Sequence, residues 1–298
     1  MQTAERSLHP LEKIVAIAAL AAVCALTIGF AQAGDKQGEK KGIKRSDEVY
    51  LRSAVALVQD ASSGETLIAK NLGAVLPIAS ITKLMTAMVI LDSGLNLEQR
   101  VAISDEDYDT LKGTRSRLRP GSVLTRDELL LLALMSSENR AAFSLARTYP
   151  GGVATFVAAM NAKARALGMN DSRFLDPTGL SSGNVSTAHD LARMVRAAHE
   201  YPLIRKYSTQ DSATVQVFGR SLDYRNTNGL VRSAHWDIGL SKTGFINEAG
   251  RCLVMRVRMH SRDVVVVLLD SWGKLSRVGD ANRIKKWLET HAPAGSRS

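Results

Sequence analysis

Two predicted β-hairpins lie far apart in the chain, and this arrangement constrains the fold more than any other feature. The first, from about Arg52 to Asn71, joins S-A-V-A-L-V-Q-D to T-L-I-A-K-N. The second, from Cys252 to Asp270, joins C-L-V-M-R-V-R-M to V-V-V-V-L-L-D through the turn H-S-R-D. Both are runs of strand-forming residues separated by a turn. We therefore expect an antiparallel sheet built from both chain ends, in an α/β fold of the α+β type.

The residues between the hairpins have mostly helical patterns. Thr125 and Glu128 have the spacing of a capping box, which marks the start of a helix. Terminal strands around a helical insert predict a sheet with flanking helices and an all-helical lobe beside it. A cleft between the sheet and the lobe is where a binding or catalytic site would normally lie. The expected helices are about Ser80–Asp92, one opening at Thr125, Arg140–Thr148, Val153–Leu167, Thr187–His199 and a final one at Leu275–Thr290.

The N-terminal residues have the features of an export signal. An uncharged apolar run extends from Ile14 to Phe30, follows Arg6 and Lys13, and precedes A-Q-A-G. This order predicts a secretory signal cut after Ala33, with an uncleaved membrane anchor as the alternative. The expected organisation is a signal peptide (1–33), a flexible polar leader (34–46), one catalytic domain (47–290) and a short tail (291–298).

Composition narrows the classes of partner. The net charge is +10, so an exported chain of this kind is expected to meet anionic partners. The low aromatic content and the lack of a recognisable binding motif argue against nucleic acid. The six histidines form no zinc-binding pattern, so we expect no metal and no cofactor. Removal of the signal would leave Cys252 as the single cysteine, interpreted as a buried packing residue.

The pattern S-x-x-K occurs twice, at Ser80–Lys83 and at Ser271–Lys274. A serine and a lysine three residues apart share one face of a helix, and the lysine can act as a base if it is deprotonated. That requires its pKa to fall by about three units, at a cost of roughly 4 kcal/mol. The start of a helix also offers unpaired N–H groups to an oxyanion. Gly273 and the preceding strand argue against a helix at the second pair, which is interpreted as a chance match.

Two further short patterns can complete such a site. K-T-G, at Lys242–Gly244, lies in a predicted strand and offers a cation, a hydroxyl and a close approach to the backbone. S-x-N occurs at Ser137–Asn139, between two predicted helices, and at Ser182–Asn184, in a Gly/Ser-rich loop. The first is preferred because a break between helices can face a cleft, and an ordinary turn accounts for the second.

The patterns S-I-T-K, S-E-N and K-T-G, in this order, resemble those of the penicillin-recognising serine transferases, which comprise D-alanyl-D-alanine peptidases and serine β-lactamases. The surrounding text, including A-L-M-S-S-E-N-R-A-A, F-L-D-P-T-G-L and K-T-G-F-I-N-E-A-G-R-C-L-V-M, is most similar to low-molecular-mass D,D-peptidases of the penicillin-binding protein 7 type. The similarity covers about Asp47 to Leu288. It implies a β-lactamase/D,D-peptidase-like fold.

The resemblance also implies roles for residues. Ser80 would be acylated with Lys83 as base, while Ser137 and Asn139 would relay a proton and hold the acyl-side amide. Lys242 and Thr243 would bind the substrate carboxylate. The backbone N–H groups of Ser80 and Phe245, beside Gly244, would form the oxyanion hole. The implied activity is a periplasmic D,D-endopeptidase acting on D-alanyl–diaminopimelate cross-links of peptidoglycan and inhibited by β-lactam antibiotics.

Two departures from the family pattern matter. Thr227 stands where some D,D-carboxypeptidases place an arginine, with Arg225 nearby, and Asp176–Pro177 stands where many β-lactamases have E-x-x-x-N. The first favours a cross-link over a free terminus as substrate, and the second predicts a persistent penicilloyl-enzyme. D-alanyl-D-alanine carboxypeptidase is the alternative, followed by β-lactamase and by a non-catalytic wall protein that binds autolysins. An autolysin partner and the oligomeric state stay open.

Overall fold

The computed structural model describes residues 49–259 and 262–291. The predicted signal segment, the leader, the tail beyond residue 291 and the turn residues 260–261 lie outside the described residues. Within these bounds, no helix has the length and apolar character needed to cross a lipid bilayer.

The strands and helices follow the predicted order. The strands are β1 Ser53–Asp60, β2 Thr66–Lys70, β3 Leu76–Pro77, β4 Arg100–Ala102, β5 Val123–Thr125, β6 Val185–Ser186, β7 Ser212–Val217, β8 Arg220–Arg225, β9 Asp237–Ile246, β10 Gly250–Met259 and β11 Arg262–Ser271. The helices are α1 Lys83–Asp92, α2 Arg126–Met135, α3 Asn139–Arg147, α4 Gly152–Ala166, α5 Ala188–His199, α6 Pro202–Thr209 and α7 Ser276–Thr290, with 3₁₀ turns at Ala79–Thr82, Asp105–Asp107 and Gly229–Arg232.

The main sheet of the described region has five strands in the order β2-β1-β11-β10-β9, and all its pairings are antiparallel. The central pair joins the two predicted hairpins, with Val55 opposite Leu269 and Leu57 opposite Val267. The expectation of a sheet built from both chain ends is confirmed. β9, which carries K-T-G, is an edge strand.

Alternation along the strands gives the sheet two apolar faces, because successive side chains point to opposite sides. On one face, Val265 and Val267 belong to the large core that includes the helical lobe. On the other, Val264 and Val266 pack with Ile284 of α7. Helix α1 is apolar on nearly all sides and almost wholly buried, as the sequence indicates, and most of its side chains belong to the larger core.

The structure also contains elements that the sequence patterns did not predict. Helix α6 and the hairpin β7–β8 occupy residues 202–225, between the predicted helix α5 and strand β9. In β7 and β8, exposed residues alternate with more buried ones such as Val215, Val217 and Tyr224, so the alternation in S-A-T-V-Q-V is a strand signal that could have located this hairpin. This hairpin matters because its last strand leads directly to Thr227, beside the K-T-G strand.

Candidate active site

The candidate nucleophile lies on a tight turn that enters α1. Ala79 has a φ of +46°, which is rare for a residue with a side chain, and the 3₁₀ turn Ala79–Thr82 runs directly into the helix. The hydroxyl of Thr82 donates to the Ala79 carbonyl at 2.8 Å. Ser80 is half-buried between two buried neighbours, Ala79 and Ile81. The turn therefore holds the Ser80 side chain at the cleft while its flanks are anchored in the core.

Lys83 is fully buried, and its ammonium group has three hydrogen-bond acceptors. Its Nζ atom donates to Ser80 Oγ at 2.9 Å, to Asn139 Oδ1 at 2.7 Å and to the Thr178 carbonyl at 2.7 Å. A lysine has three donors, so all of them are used. This confirms the contact that the S-x-x-K spacing predicts.

The environment of Lys83 increases the fraction of its neutral form. Burial lowers its pKa from an ordinary value of 10.5 to about 8, although the negative charges of Asp176, Glu138 and Asp109 act in the opposite direction. At pH 7, about one lysine in ten would then be neutral. Lys83 is thus able to accept a proton from Ser80, to which it is already hydrogen-bonded.

A loop that the sequence reasoning did not assign holds Lys83 from the other side. The Asp176 carboxylate accepts hydrogen bonds from the backbone N–H groups of Thr178, Gly179 and Ser181 at 2.7, 2.8 and 3.0 Å. This turn directs the Thr178 carbonyl at Lys83. Gly179 has a φ of +82°, and a Cβ atom there would lie 1.9 Å from the Ala79 carbonyl oxygen. Only glycine permits the loop to approach the nucleophile turn so closely.

The second S-x-N pattern anchors the same loop and does not reach the catalytic groups. Asn184 is fully buried, and its amide accepts from the Leu175 and Asp176 N–H groups at 2.7 and 3.1 Å. It also donates to Thr82 Oγ1 at 3.1 Å. Asn184 is therefore a structural residue, as its interpretation as part of a turn implies. Its side chain is more buried than that of an ordinary turn residue.

The first S-x-N pattern lies between α2 and α3, as predicted, and connects two lysines. Ser137 has a φ of +61°, and its hydroxyl accepts from Lys242 Nζ at 2.8 Å. Asn139 offers its carbonyl oxygen to Lys83, which can only donate, and its amide nitrogen donates to Thr114 Oγ1 at 2.9 Å. A left-handed backbone at a serine costs roughly 1–3 kcal/mol and often marks a functional position.

Lys242 is the second buried cation of the site. Burial, followed by the positive charges of Lys83 and Arg277, holds its pKa well below the ordinary value. Its Nζ atom donates to Ser137 Oγ and, at 3.0 Å, to the Thr243 carbonyl, and it has no carboxylate partner among the described residues. An anionic ligand would therefore reduce the electrostatic repulsion between the buried side chains of Lys83 and Lys242.

The K-T-G strand passes directly beside the nucleophile turn. A Cβ atom on Gly244 would lie 2.9 Å from the Ile78 carbonyl oxygen and 3.1 Å from the Ser80 backbone nitrogen. Arg277 of α7 donates to the Gly244 carbonyl at 3.1 Å. In a trans peptide the N–H group points away from the carbonyl, so the N–H of Phe245 is directed to the side opposite Arg277. Thr243 Oγ1 shares a hydrogen bond of 2.6 Å with Thr227 Oγ1.

The other predicted features have clear positions. Ser271 is buried at the end of β11 and shares a 2.7 Å hydrogen bond with Ser53 Oγ, while Lys274 is exposed, so this pair forms no site. Cys252 is buried, and burial raises the pKa of its thiol to about 11, which confirms a packing role. The described residues contain no group of three or more side chains suited to a metal ion.

Comparison with known proteins agrees with this geometry. Residues 42–272 match the Peptidase S11 family, described as D-alanyl-D-alanine carboxypeptidase. The chain is 51% identical over 253 residues to a D-alanyl-D-alanine endopeptidase of Pseudomonas aeruginosa, covering 84% of this chain and 81% of that protein. It is 48% identical over 242 residues to a D-alanyl-D-alanine endopeptidase of Escherichia coli, covering 80% and 78%. The crystal structure of the Streptomyces K15 DD-transpeptidase superposes with a TM-score of 0.76 at 26% identity, covering 82% of this chain and 99% of that one.

Proposed function

The chain belongs to the Peptidase S11 family of serine D-alanyl-D-alanine peptidases, and on this premise we propose that it is a periplasmic D,D-endopeptidase. Its substrate would be the D-alanyl–diaminopimelate cross-link of peptidoglycan, and β-lactams would acylate the same serine. The observation that carries the proposal is the hydrogen bond between Lys83 Nζ and Ser80 Oγ in a buried site with a lowered lysine pKa.

Acylation would begin when neutral Lys83 takes the proton of Ser80. The Ser80 oxygen then attacks the D-alanyl carbonyl carbon, and the amide C–N bond breaks. The leaving amine needs a proton, which Ser137 is placed to deliver because its hydroxyl is bound to Lys242. Water would later attack the acyl carbon and give a proton to Lys83. The bond between the acyl carbon and the Ser80 oxygen then breaks, and Lys83 returns the proton to Ser80.

The oxyanion of each tetrahedral intermediate would be held by the backbone N–H groups of Ser80 and Phe245. Support for this role comes from the close approach of Gly244 to the Ser80 nitrogen and from the contact of Arg277 with the Gly244 carbonyl. Donors that are already oriented are worth several kcal/mol in a transition state, typically about 3–4. The substrate backbone would lie along the edge of β9 as an added strand.

Lys242 and Thr243 would hold the carboxylate on the leaving side of the scissile bond. Lys242 is a buried lysine with no carboxylate partner among the described residues, and a bound carboxylate would favour its charged form. The preference for a cross-link is supported by Thr227, whose hydroxyl is bound to Thr243 where some carboxypeptidases have an arginine. Because threonine is smaller than arginine and uncharged, Thr227 leaves room for a leaving peptide that continues beyond its carboxylate.

We expect a persistent β-lactam adduct because the described site offers no free carboxylate, in addition to Lys83, to activate water against it. The Asp176 carboxylate is used by three backbone N–H groups of its own loop and by the Thr178 hydroxyl. It organises the turn that presents Thr178 to Lys83. A β-lactamase activity is accordingly not proposed.

Digestion of purified cross-linked dimer muropeptide tests the proposal directly. We expect release of two monomers, no release by a Ser80→Ala variant, and loss of activity after treatment with benzylpenicillin. A pentapeptide ending in D-Ala-D-Ala should be cleaved more slowly than the dimer. Faster cleavage of the pentapeptide would establish the carboxypeptidase alternative, and cleavage by Ser80→Ala would refute the mechanism. Fractionation of cells that express the chain would test the periplasmic location.

A further inference from the structure

The catalytic cleft continues past Ser137 into a polar cavity of about 470 Å³. This cavity shares Ser137 and Asn139 with the catalytic groups, and these two residues contact Lys242 and Lys83 respectively. Its outer wall consists of three arginines, Arg115, Arg117 and Arg225, which together are called the arginine pocket. The mechanism proposed above does not use any of the three.

The arginine pocket carries excess positive charge. None of its three arginines forms an ion pair within the described parts of the chain, and all three are exposed. Glu138 is the acidic residue that lines the cavity, and its carboxylate accepts from the Ala141 N–H group at 3.0 Å as the cap of α3. Three guanidinium groups against one engaged carboxylate leave the cavity suited to an anion.

The buried side chain of Tyr224 forms the floor of the arginine pocket. Its side chain is 4% exposed, and the guanidinium carbon of Arg117 lies 3.9 Å from the centre of its ring. A guanidinium stacked on a ring keeps its N–H groups in the plane, available to a carboxylate. The buried Tyr224 hydroxyl has no acceptor for its proton among the described residues. Burial, followed by the charge of Glu138, raises the pKa of Tyr224 to about 12, so the hydroxyl remains a donor.

The position of the cavity identifies the part of the substrate that reaches it. Ser137 is the group placed to protonate the leaving amine, and Arg225 is two residues before Thr227, which is bound to Thr243 at the proposed carboxylate site. Ser137 and Arg225 therefore place the arginine end of the cavity on the leaving-group side of the cleft, while Asn139 lines its boundary with the acyl side. A free D-alanine ends at its carboxylate there. The leaving strand of a cross-link continues, and its stem peptide bears further carboxylates.

We propose that the arginine pocket binds a carboxylate of the leaving strand of the cross-linked peptide, and so favours cross-links over free D-Ala-D-Ala termini. This inference rests on the proposed endopeptidase function. Arg115, Arg117 and Arg225 supply the guanidinium groups, and Tyr224 adds a hydroxyl donor beneath Arg117.

The first test compares two triple variants with equal charge. R115Q/R117Q/R225Q removes the pocket, and R165Q/R220Q/R258Q removes three exposed arginines that do not line it. For the pocket variant, we expect kcat/KM on the cross-linked dimer to fall about tenfold to a hundredfold. The same variant should lose at least tenfold less of its kcat/KM on a D-Ala-D-Ala pentapeptide, and at least tenfold less of its acylation rate with benzylpenicillin, than it loses of kcat/KM on the dimer. The control variant should match the wild type on all three. Equal losses on all substrates, or no loss on the dimer, would overturn the proposal.

A binding measurement separates this inference from the proposed activity. In a Ser80→Ala background, dimer affinity should fall by the same factor in the pocket variant, and amidation of the leaving-strand carboxylates should weaken binding only when the arginines are present. Dimer binding that depends on the arginines without cleavage by the wild type would contradict the endopeptidase function and leave the pocket standing. Binding that is insensitive to both changes would refute the pocket.

Discussion

The chain contains the same four-residue pattern twice, and the two copies have opposite properties. Ser80 and Lys83 lie on a turn that enters a buried helix, and the lysine is fully buried with a pKa of about 8. Ser271 is buried at the end of a strand with its hydroxyl bound to Ser53, and Lys274 is exposed on the following turn. Spacing alone therefore does not make a catalytic pair.

The difference comes from what surrounds each lysine. Lys83 is enclosed by the Ser80 turn, by Asn139 and by the loop carbonyl of Thr178. These groups come from three distant segments, and together they exclude water while satisfying every donor. Such an enclosure is what lowers a lysine pKa, since burial disfavours the charged form. Lys274 has no such enclosure.

The largest expected difference between the two pairs is in the serines. Ser80→Ala should lower dimer hydrolysis roughly 10⁶-fold and abolish the benzylpenicillin adduct, because the attacking oxygen is gone. Ser271→Ala should keep full acylation and lose about 1 kcal/mol of unfolding free energy, since Ser53 keeps its 2.5 Å hydrogen bond to Asp280. Intact-protein mass spectrometry and urea unfolding measure the two effects. An adduct on the Ser80→Ala protein would contradict the assignment of Ser80 as the nucleophile.

The lysines should differ next. Lys83→Ala removes the base and should slow acylation by about 10²–10⁴-fold, a typical value for lost general-base catalysis. Lys274→Ala should change the rate by less than about twofold, because Lys274 is exposed and takes part in none of the hydrogen bonds described for the site. Stopped-flow acylation by a chromogenic cephalosporin gives both rates. A loss of similar size in the two variants would show that Lys83 acts only through general charge.

Two glycines with left-handed backbones extend the comparison to the surroundings. Gly179→Ala would force a side chain against the Ala79 carbonyl, at 1.9 Å, and should cost about 3 kcal/mol or more of unfolding free energy. Gly273→Ala, within the second pattern, would meet Ser276 Oγ at 3.1 Å and should cost about 1 kcal/mol, mainly for its φ of +87°. Thermal and denaturant unfolding would compare them, and equal costs would contradict the close approach.

The smallest expected effect is a pH dependence that belongs to the first lysine alone. The neutral form of Lys83 is the base, so the acylation rate should rise with pH and level off above a midpoint of about 8. Between pH 6 and pH 7, the neutral fraction and the rate should rise about tenfold. Lys274→Ala should keep this profile. A midpoint near the ordinary lysine value of 10.5 would show that burial does not tune Lys83.

Much of this architecture follows from local sequence patterns. The two hairpins, the buried character of α1 and the capping box at Thr125 and Glu128 were predicted and confirmed, because each depends on residues close in sequence. The position of Ser137–Asn139 between two helices was predicted for the same reason. The catalytic roles of these residues remain proposals that the experiments above address.

The parts that escaped prediction depend on contacts between distant segments. The Thr178 carbonyl is 95 residues from Lys83 in sequence, and no property of a carbonyl marks it as a partner. Gly179 offered a better signal, since a glycine after D-P-T indicates a turn, but its target at Ala79 is visible only in the fold. The arginine pocket likewise combines the loop before Leu118 with the hairpin β7–β8, two segments that are distant in sequence and meet only in the fold.

The order of strands in the main sheet has a consequence for when the molecule can fold. Strand β1 lies between β2 and β11, and the pair Ser53–Ser271 spans 218 residues. Closing so long a loop costs conformational entropy before any contact compensates, so folding should be slow compared with that of helical domains of similar size. During synthesis, β1 has only β2 as a sheet partner until residues 262–271 emerge. The main sheet, and with it the cleft beside β9, therefore cannot be completed until the last strands have been made.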